Sequence, residues 1–240
     1  MEPSSAPGTG DPAGIGGPPP RVEPAAVVEA LEAVRARMAT VGDPAAVRVV
    51  AVTKGFGPDA LAAAAAAGVP DVGENYAQEL LAKATSAPAA TRWHFLGAAQ
   101  RNKIPRLAPV VQLWQAVDRE PVVQRLATVA PGASLLVQVN FTGDPRKAGC
   151  TPREAPALVE SARCLGLDLR GLMTVAPAGD PEGAERVFAS LAGLGRSLEV
   201  EELSMGMTDD YVAAVAAGST MVRLGRALFG PRPGRAPGPR

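Results

Sequence analysis

A single histidine, His94, leaves no histidine pair to hold a zinc ion. Cys150 and Cys164 are too few for a disulfide framework and stand at no metal-ligand spacing, so free thiols and a cytoplasmic location are expected. Aromatic residues are 4% of the chain, too sparse for a platform that stacks nucleic-acid bases. Acidic and basic residues balance at 24 each, so no net field draws in nucleic acid or an anionic membrane. No apolar run approaches the length of a bilayer span, and the N-terminus lacks the basic-then-apolar order of a signal peptide. Lysine is scarce as well: it occurs at 54, 83, 103 and 147, and the other basic residues are arginine. Where charge or solubility alone matters this sequence uses arginine, so each lysine raises the question whether its position needs an amine. The plainer alternative is chance, with Lys83 and Lys103 simply solvated on helices.

What is present is one sizeable core. The chain has 240 residues, 47% of them hydrophobic, the size of one α/β barrel. Its first twenty residues include six Pro and five Gly, which cannot bury enough surface to offset the entropy of ordering. The expected organisation is a disordered tail over 1–22, one domain over 23–231 and a flexible tail over 232–240. Within the domain, short strand-like runs, the first of them β-branched and apolar at 47–53, alternate with helical segments. Strands are predicted at 47–53, 69–72, 92–95, 111–115, 134–139, 167–173, 200–203 and 221–224. Helices are predicted at 58–67, 75–84, 98–107, 120–129, 152–164, 181–194 and 209–217, with an extra one at 24–38 before the first strand. Eight strand–helix units predict a parallel sheet closed into a (β/α)8 barrel. The alternative, an open doubly wound sheet, calls for a Gly-rich phosphate turn after its first strand, and Thr53–Gly57 does not fit that fingerprint.

Barrels of this kind place their sites at the C-terminal ends of the strands. Lys54 follows the first strand there. Partial desolvation would lower its pKa and free the amine for a Schiff base; a snorkelling lysine is the equal alternative. Asn75, with Gln78 three residues on, resembles a capping box, and at the mouth it would also face a ligand. His94, between Trp93 and Phe95, reads as a hydrogen-bonded core residue ahead of a catalytic one. Thr208 reads as a helix N-cap with Asp209 and Asp210 in the first turn. The loops after the seventh and eighth strands commonly bind phosphate in barrels. Ser204 offers a hydroxyl, Gly206 and Gly225 allow backbone N–H groups to approach an anion, and Arg223 brings a permanent charge. Two ordinary tight turns are the other reading. An amine facing a phosphate cradle suggests pyridoxal 5′-phosphate (PLP), or a sugar phosphate in an aldolase-like enzyme.

Several blocks, in order, resemble the pyridoxal phosphate homeostasis protein family: A-V-T-K (51–54), G-E-N-Y (73–76), W-H-F-L-G (93–97), Q-R-N-K (100–103), R-G-L-M (170–173), S-M-G-M-T-D-D (204–210) and G-S-T-M-V-R-L-G (218–225). They run from about residue 25 to 231, and together they are specific where none alone would be. The resemblance implies a barrel similar to the N-terminal domain of alanine racemases, with PLP as a Schiff base on Lys54. It implies Asn75 beside the cofactor, Ser204 and the backbone around Gly225 at the phosphate, and Arg223 near the pyridine nitrogen or phosphate. Arg226 stands where many relatives carry a Thr or Ser that can bond the phosphate. The implied function is intracellular buffering and delivery of PLP, with apo PLP-dependent enzymes as candidate partners, a monomeric state and no robust turnover. An amino-acid racemase is the alternative. It is disfavoured because an arginine at the pyridine nitrogen leaves the ring unprotonated, and because racemisation on such a barrel uses a tyrosine from a second domain.

Overall fold

The structure, a computed structural model, describes residues 21–232. Eight parallel strands close into a barrel in sequence order: β1 (Arg48–Val52), β2 (Asp71–Glu74), β3 (Arg92–Phe95), β4 (Val111–Val117), β5 (Ser134–Gln138), β6 (Asp168–Met173), β7 (Glu202–Ser204) and β8 (Met221–Leu224). Pairing of Val50 with Arg223 and Ala51 with Leu224 completes the ring. Helices α2 (Pro58–Ala66), α3 (Ala77–Ala84), α4 (Ile104–Leu107), α5 (Glu120–Val129), α6 (Ala155–Cys164), α7 (Pro181–Ser197) and α8 (Tyr211–Ala216) alternate with the strands, and a short α9 (Arg226–Phe229) follows β8. The (β/α)8 architecture expected from the alternation is thus the observed one. No helix among the described residues is long and apolar enough to cross a membrane.

Alternation along each strand separates two environments. Val50, Leu113, Leu136, Met173 and Met221 form a small apolar cluster inside the barrel. Their strand neighbours Val49, Ala51, Val222 and Leu224 point outward and pack with α1 (Pro24–Met38), which buries Val27, Leu31, Val34 and Met38 along one stripe. That 4–3–4 spacing is the helical period, and each such burial contributes about 1.5–3 kcal/mol. Outward residues of the other strands join the main core, where Trp114 is 1% exposed and meets Phe95 edge-on at 5.7 Å.

Several boundaries differ from the sequence reading for identifiable reasons. β2 begins at Asp71 and continues through Gly73 and Glu74, two residues beyond the expected end at Val72. A Cβ at Gly73 would stand 2.6 Å from a Leu96 methyl, so glycine suits the close approach, and Glu74 has buried partners described below. The expected 98–107 helix is only Ile104–Leu107, because Pro105 is tolerated in a first turn and not deeper. Asn75 caps nothing: α3 begins after Tyr76, with no side-chain cap. Thr208 is not an N-cap either; Asp210 occupies that position before α8 and accepts the Met207 N–H at 2.6 Å. Of the two terminal segments read as tails, 1–20 and 233–240 lie outside the described residues. Val22 is half-buried, its N–H donating to Asp59 at 2.6 Å, and Arg232 reaches the barrel mouth.

Candidate functional site

A cavity of about 350 Å3 opens at the C-terminal mouth of the barrel. The strand period explains how its polar groups arrive there. Val50 points into the lumen, so Val52 and then Lys54 do too, and both line the cavity. Met221 points inward, so Arg223 does as well. Lys54 is therefore part of the site, with its pKa lowered by burial and then by the nearby Arg232 and Arg223; Glu74 and Glu79 oppose the shift. Such a shift leaves more neutral amine near neutrality than an ordinary lysine offers.

Arg223 is 4% exposed. Burial lowers its pKa to about 10, which still leaves it charged at neutral pH. It donates to Ser204 Oγ and to the Thr174 carbonyl, both at 2.7 Å, and no carboxylate among the described residues is in ion-pair contact with it. A buried cation without an ion partner is costly. Part of that cost is offset by a one-way hydrogen-bond relay through the lumen. Ser204 Oγ donates to Gln115 Oε1 at 2.7 Å, and the Gln115 amide nitrogen meets His94 Nδ1 at 2.7 Å. His94 Nε2 meets Asp71 at 2.9 Å, and Arg92 closes the relay on Asp71. Burial pushes the Asp71 carboxyl up, but the bonds from His94 and Arg92 outweigh it and hold it below the usual carboxylate range. The arrangement fixes His94 with its proton on Nε2. His94 is thus the buried, hydrogen-bonded core residue expected ahead of a catalytic one.

Five of the seven residues named from sequence line the cavity: Lys54, Asn75, Arg223, Gly225 and Arg226. Ser204 and Gly206 do not. Ser204 sits behind Arg223 with its hydroxyl committed to Gln115, which differs from the direct phosphate contact implied by the resemblance. Gly206 shapes the loop instead. Its φ is +95°, and a Cβ there would stand 2.6 Å from the Ala214 methyl. The loop then brings Met207, Thr208 and Asp209 to the cavity wall. At Gly225 a Cβ would stand 3.3 Å from the Val52 carbonyl oxygen, so glycine leaves the β8 turn bare. The Arg226 N–H that follows is the first of a helix and has no intrahelical partner. The Arg226 side chain takes neither of the two obvious courses, inward to an anion or free into solvent. It pairs with Asp209 at 2.5 Å on the rim, with 57% of the side chain exposed.

Two polar residues of the cavity wall, Thr208 and Arg232, and one buried lysine outside it, Lys83, take places that the local sequence pattern does not indicate. Thr208 looked like a cap, yet it lines the cavity, and its hydroxyl accepts the Ala227 N–H at 3.2 Å. Arg232 fell in a Pro/Gly/Arg-rich end, and only its position beside Gly55 and Lys54 brings it in. Lys83 is 6% exposed, against the alternative of a solvated helix lysine. Its signal was the scarcity of lysine in an arginine-rich chain.

Comparison with known proteins agrees with this picture. The family described as "Alanine racemase, N-terminal domain" matches residues 28–233. A pyridoxal phosphate homeostasis protein of Pseudomonas aeruginosa is 42% identical over 204 residues, which are 81% of this chain and 89% of that protein. One from Schizosaccharomyces pombe is 32% identical over 221 residues, 86% of this chain and 93% of its own length. The solved structure of PipY from Synechococcus elongatus with PLP bound superposes with a TM-score of 0.76 at 32% identity, covering 85% of this chain and 100% of PipY. A Vibrio vulnificus lysine/ornithine decarboxylase, at 14% identity and a TM-score of 0.68, shares the fold over 86% of this chain and 62% of its own. The chain therefore belongs to the alanine racemase N-terminal domain family and, within it, to the pyridoxal phosphate homeostasis proteins.

Proposed function

We propose that this protein binds PLP through a Schiff base on Lys54 and serves PLP homeostasis by buffering and delivering the cofactor, without robust catalysis of its own. One observation carries the reading: a half-buried amine and a buried arginine with no ion partner among the described residues face one cavity. The residues present fit PLP. Lys54 supplies the amine for its aldehyde. Arg223 presents charge and N–H groups to the pyridine nitrogen or phosphate. The bare Gly225 turn, the Arg226 N–H and the Thr208 hydroxyl form a cradle for phosphate, with Asn75 at the ring. Gly206 holds the loop, and Ser204 acts through Arg223 rather than on the ligand. Arg226 spans the rim with Asp209, a contact worth little in energy at that exposure.

PLP when bound would supply an electron sink, but the chain's own groups do not complete a racemase. Arg223 keeps its proton and cannot protonate the ring nitrogen as an acid would. Of the two tyrosines, Tyr211 is 3% exposed in the outer core and Tyr76 is 66% exposed on the rim. The same proposal takes residues 23–231, extended by Arg232, as the cofactor-binding unit. It places the protein in the cytoplasm as a monomer, with apo PLP-dependent enzymes as recipients.

A titration of the apo-protein with PLP, followed by addition of L-alanine, tests the function. A visible absorption band is expected to develop on PLP addition, and no D-alanine above a trace is expected to follow. Sustained racemisation by protein freed of contaminating racemase would overturn the homeostasis reading in favour of an enzyme.

A further inference from the structure

The buried ammonium of Lys83 donates to three acceptors: the Thr53 carbonyl at 2.7 Å, Glu74 Oε1 at 2.5 Å and Glu79 Oε1 at 2.8 Å. Three acceptors match the three N–H bonds of an ammonium. No nitrogen of a planar guanidinium carries three N–H bonds, so three acceptors gathered around one nitrogen suit lysine in a chain that otherwise prefers arginine. The partners surround Lys54. The Thr53 hydroxyl donates to Glu74 Oε1 at 2.7 Å, and the Gly55 N–H donates to Glu79 Oε1 at 2.6 Å. Both chain neighbours of Lys54 are thus tied to one cluster. The period of β1 sends Thr53 outward toward α3 and Lys54 toward the lumen, and Gly55 turns the chain away with φ +76°.

We propose that Lys83, with Glu74 and Glu79, is the positioning device for Lys54, clamping residues 53–55 between β2 and α3 so that the reactive amine is aimed into the cavity. The inference rests on the reading of Lys54 as the Schiff-base amine. In that step the neutral Lys54 nitrogen adds to the aldehyde carbon, a C=N bond replaces C=O, and the oxygen leaves as water with no change of redox state. The cluster also sets two carboxylates against one ammonium beside the amine. Around Lys54, burial together with Arg232 and Arg223 favours the neutral form, while Glu74 of β2 and Glu79 of α3 favour the charged one.

The full-length protein, Lys83→Arg, Glu79→Ala and Lys54→Ala would be saturated with PLP. Retained PLP and borohydride-trapped PLP on the residue-54 peptide would then be measured separately across pH. Lys83→Arg keeps the charge and is expected to retain PLP while its trapped fraction falls by about tenfold or more, equivalent to about 1.4 kcal/mol. Glu79 is a quarter exposed, so Glu79→Ala keeps the test available if Lys83→Arg does not fold. Losing that carboxylate is expected to move the pH midpoint of Schiff-base formation downward, a shift that general loosening of the fold would not produce. A Lys83→Arg trapped fraction equal to that of the unsubstituted protein, parallel loss of retained and trapped PLP, or an unmoved midpoint in Glu79→Ala would overturn the clamp. If the unsubstituted protein gives no more adduct at residue 54 than the Lys54→Ala blank, the Schiff-base reading itself fails and takes this inference with it.

Discussion

Arg223→Leu is expected to weaken PLP binding by about 10- to 100-fold, the equivalent of about 1.4–2.8 kcal/mol and in the range of a desolvated charge-assisted contact. The size follows from where the arginine sits. It is buried, held at two of its nitrogens by Ser204 and Thr174, and backed by the relay through Gln115 and His94 to Asp71. Its geometry is thus set before a ligand arrives, and little ordering entropy is lost on binding. Leucine keeps an apolar stem in the lumen but leaves the ligand's acceptor without a donor. An affinity within about twofold of the unsubstituted protein, measured by fluorescence or absorbance titration, would show that Arg223 meets no part of the ligand.

Trp114→Ala is expected to destabilise the fold by about 3–5 kcal/mol, lowering Tm by roughly 6–20 °C for a domain of this size. Trp114 is 1% exposed, points outward from β4 into the main core and packs edge-on against Phe95. No small neighbour can fill the volume that a lost indole leaves in a close-packed interior. The variant is still expected to bind PLP at a temperature where it is folded, because Trp114 lies outside the barrel wall and away from its mouth. Thermal unfolding followed by circular dichroism checks the first part, and a loss below about 1 kcal/mol would mean that the outer layer repacks freely.

Much of the architecture was legible because the signals were local. A β-branched run marked β1, a run of alanines marked α2, and the regular alternation of short strands with helices gave the barrel. Errors gathered where tertiary partners overrode local preference. The second strand was expected to end at Val72, yet β2 runs on to Glu74, an acid that would be costly to bury alone and one of whose oxygens Lys83 and Thr53 satisfy. Burial still pushes its carboxyl above the usual range. At the site, parity along β1 and β8 was enough to point Lys54 and Arg223 to the mouth. Ser204 was harder: its parity is inward, but its depth beneath Arg223 depends on the register of β7 against β8, which pairs Ser204 with Met221. Arg226 at the start of α9 and Asp209 in the turn after β7 meet across 17 positions of sequence, and no local pattern encodes that pairing.

The central claim is that Lys54 carries PLP, and the direct measurement is borohydride reduction of the PLP-loaded protein followed by peptide mass mapping. A pyridoxyl adduct confined to the peptide containing residue 54 is expected, together with loss of the visible band. Lys54→Ala is expected to remove both while leaving the circular dichroism spectrum unchanged, since the substitution lies at the mouth and leaves the buried layers intact. An adduct that persists in Lys54→Ala, or one that maps in the unsubstituted protein to Lys83, Lys103 or Lys147, would contradict the account.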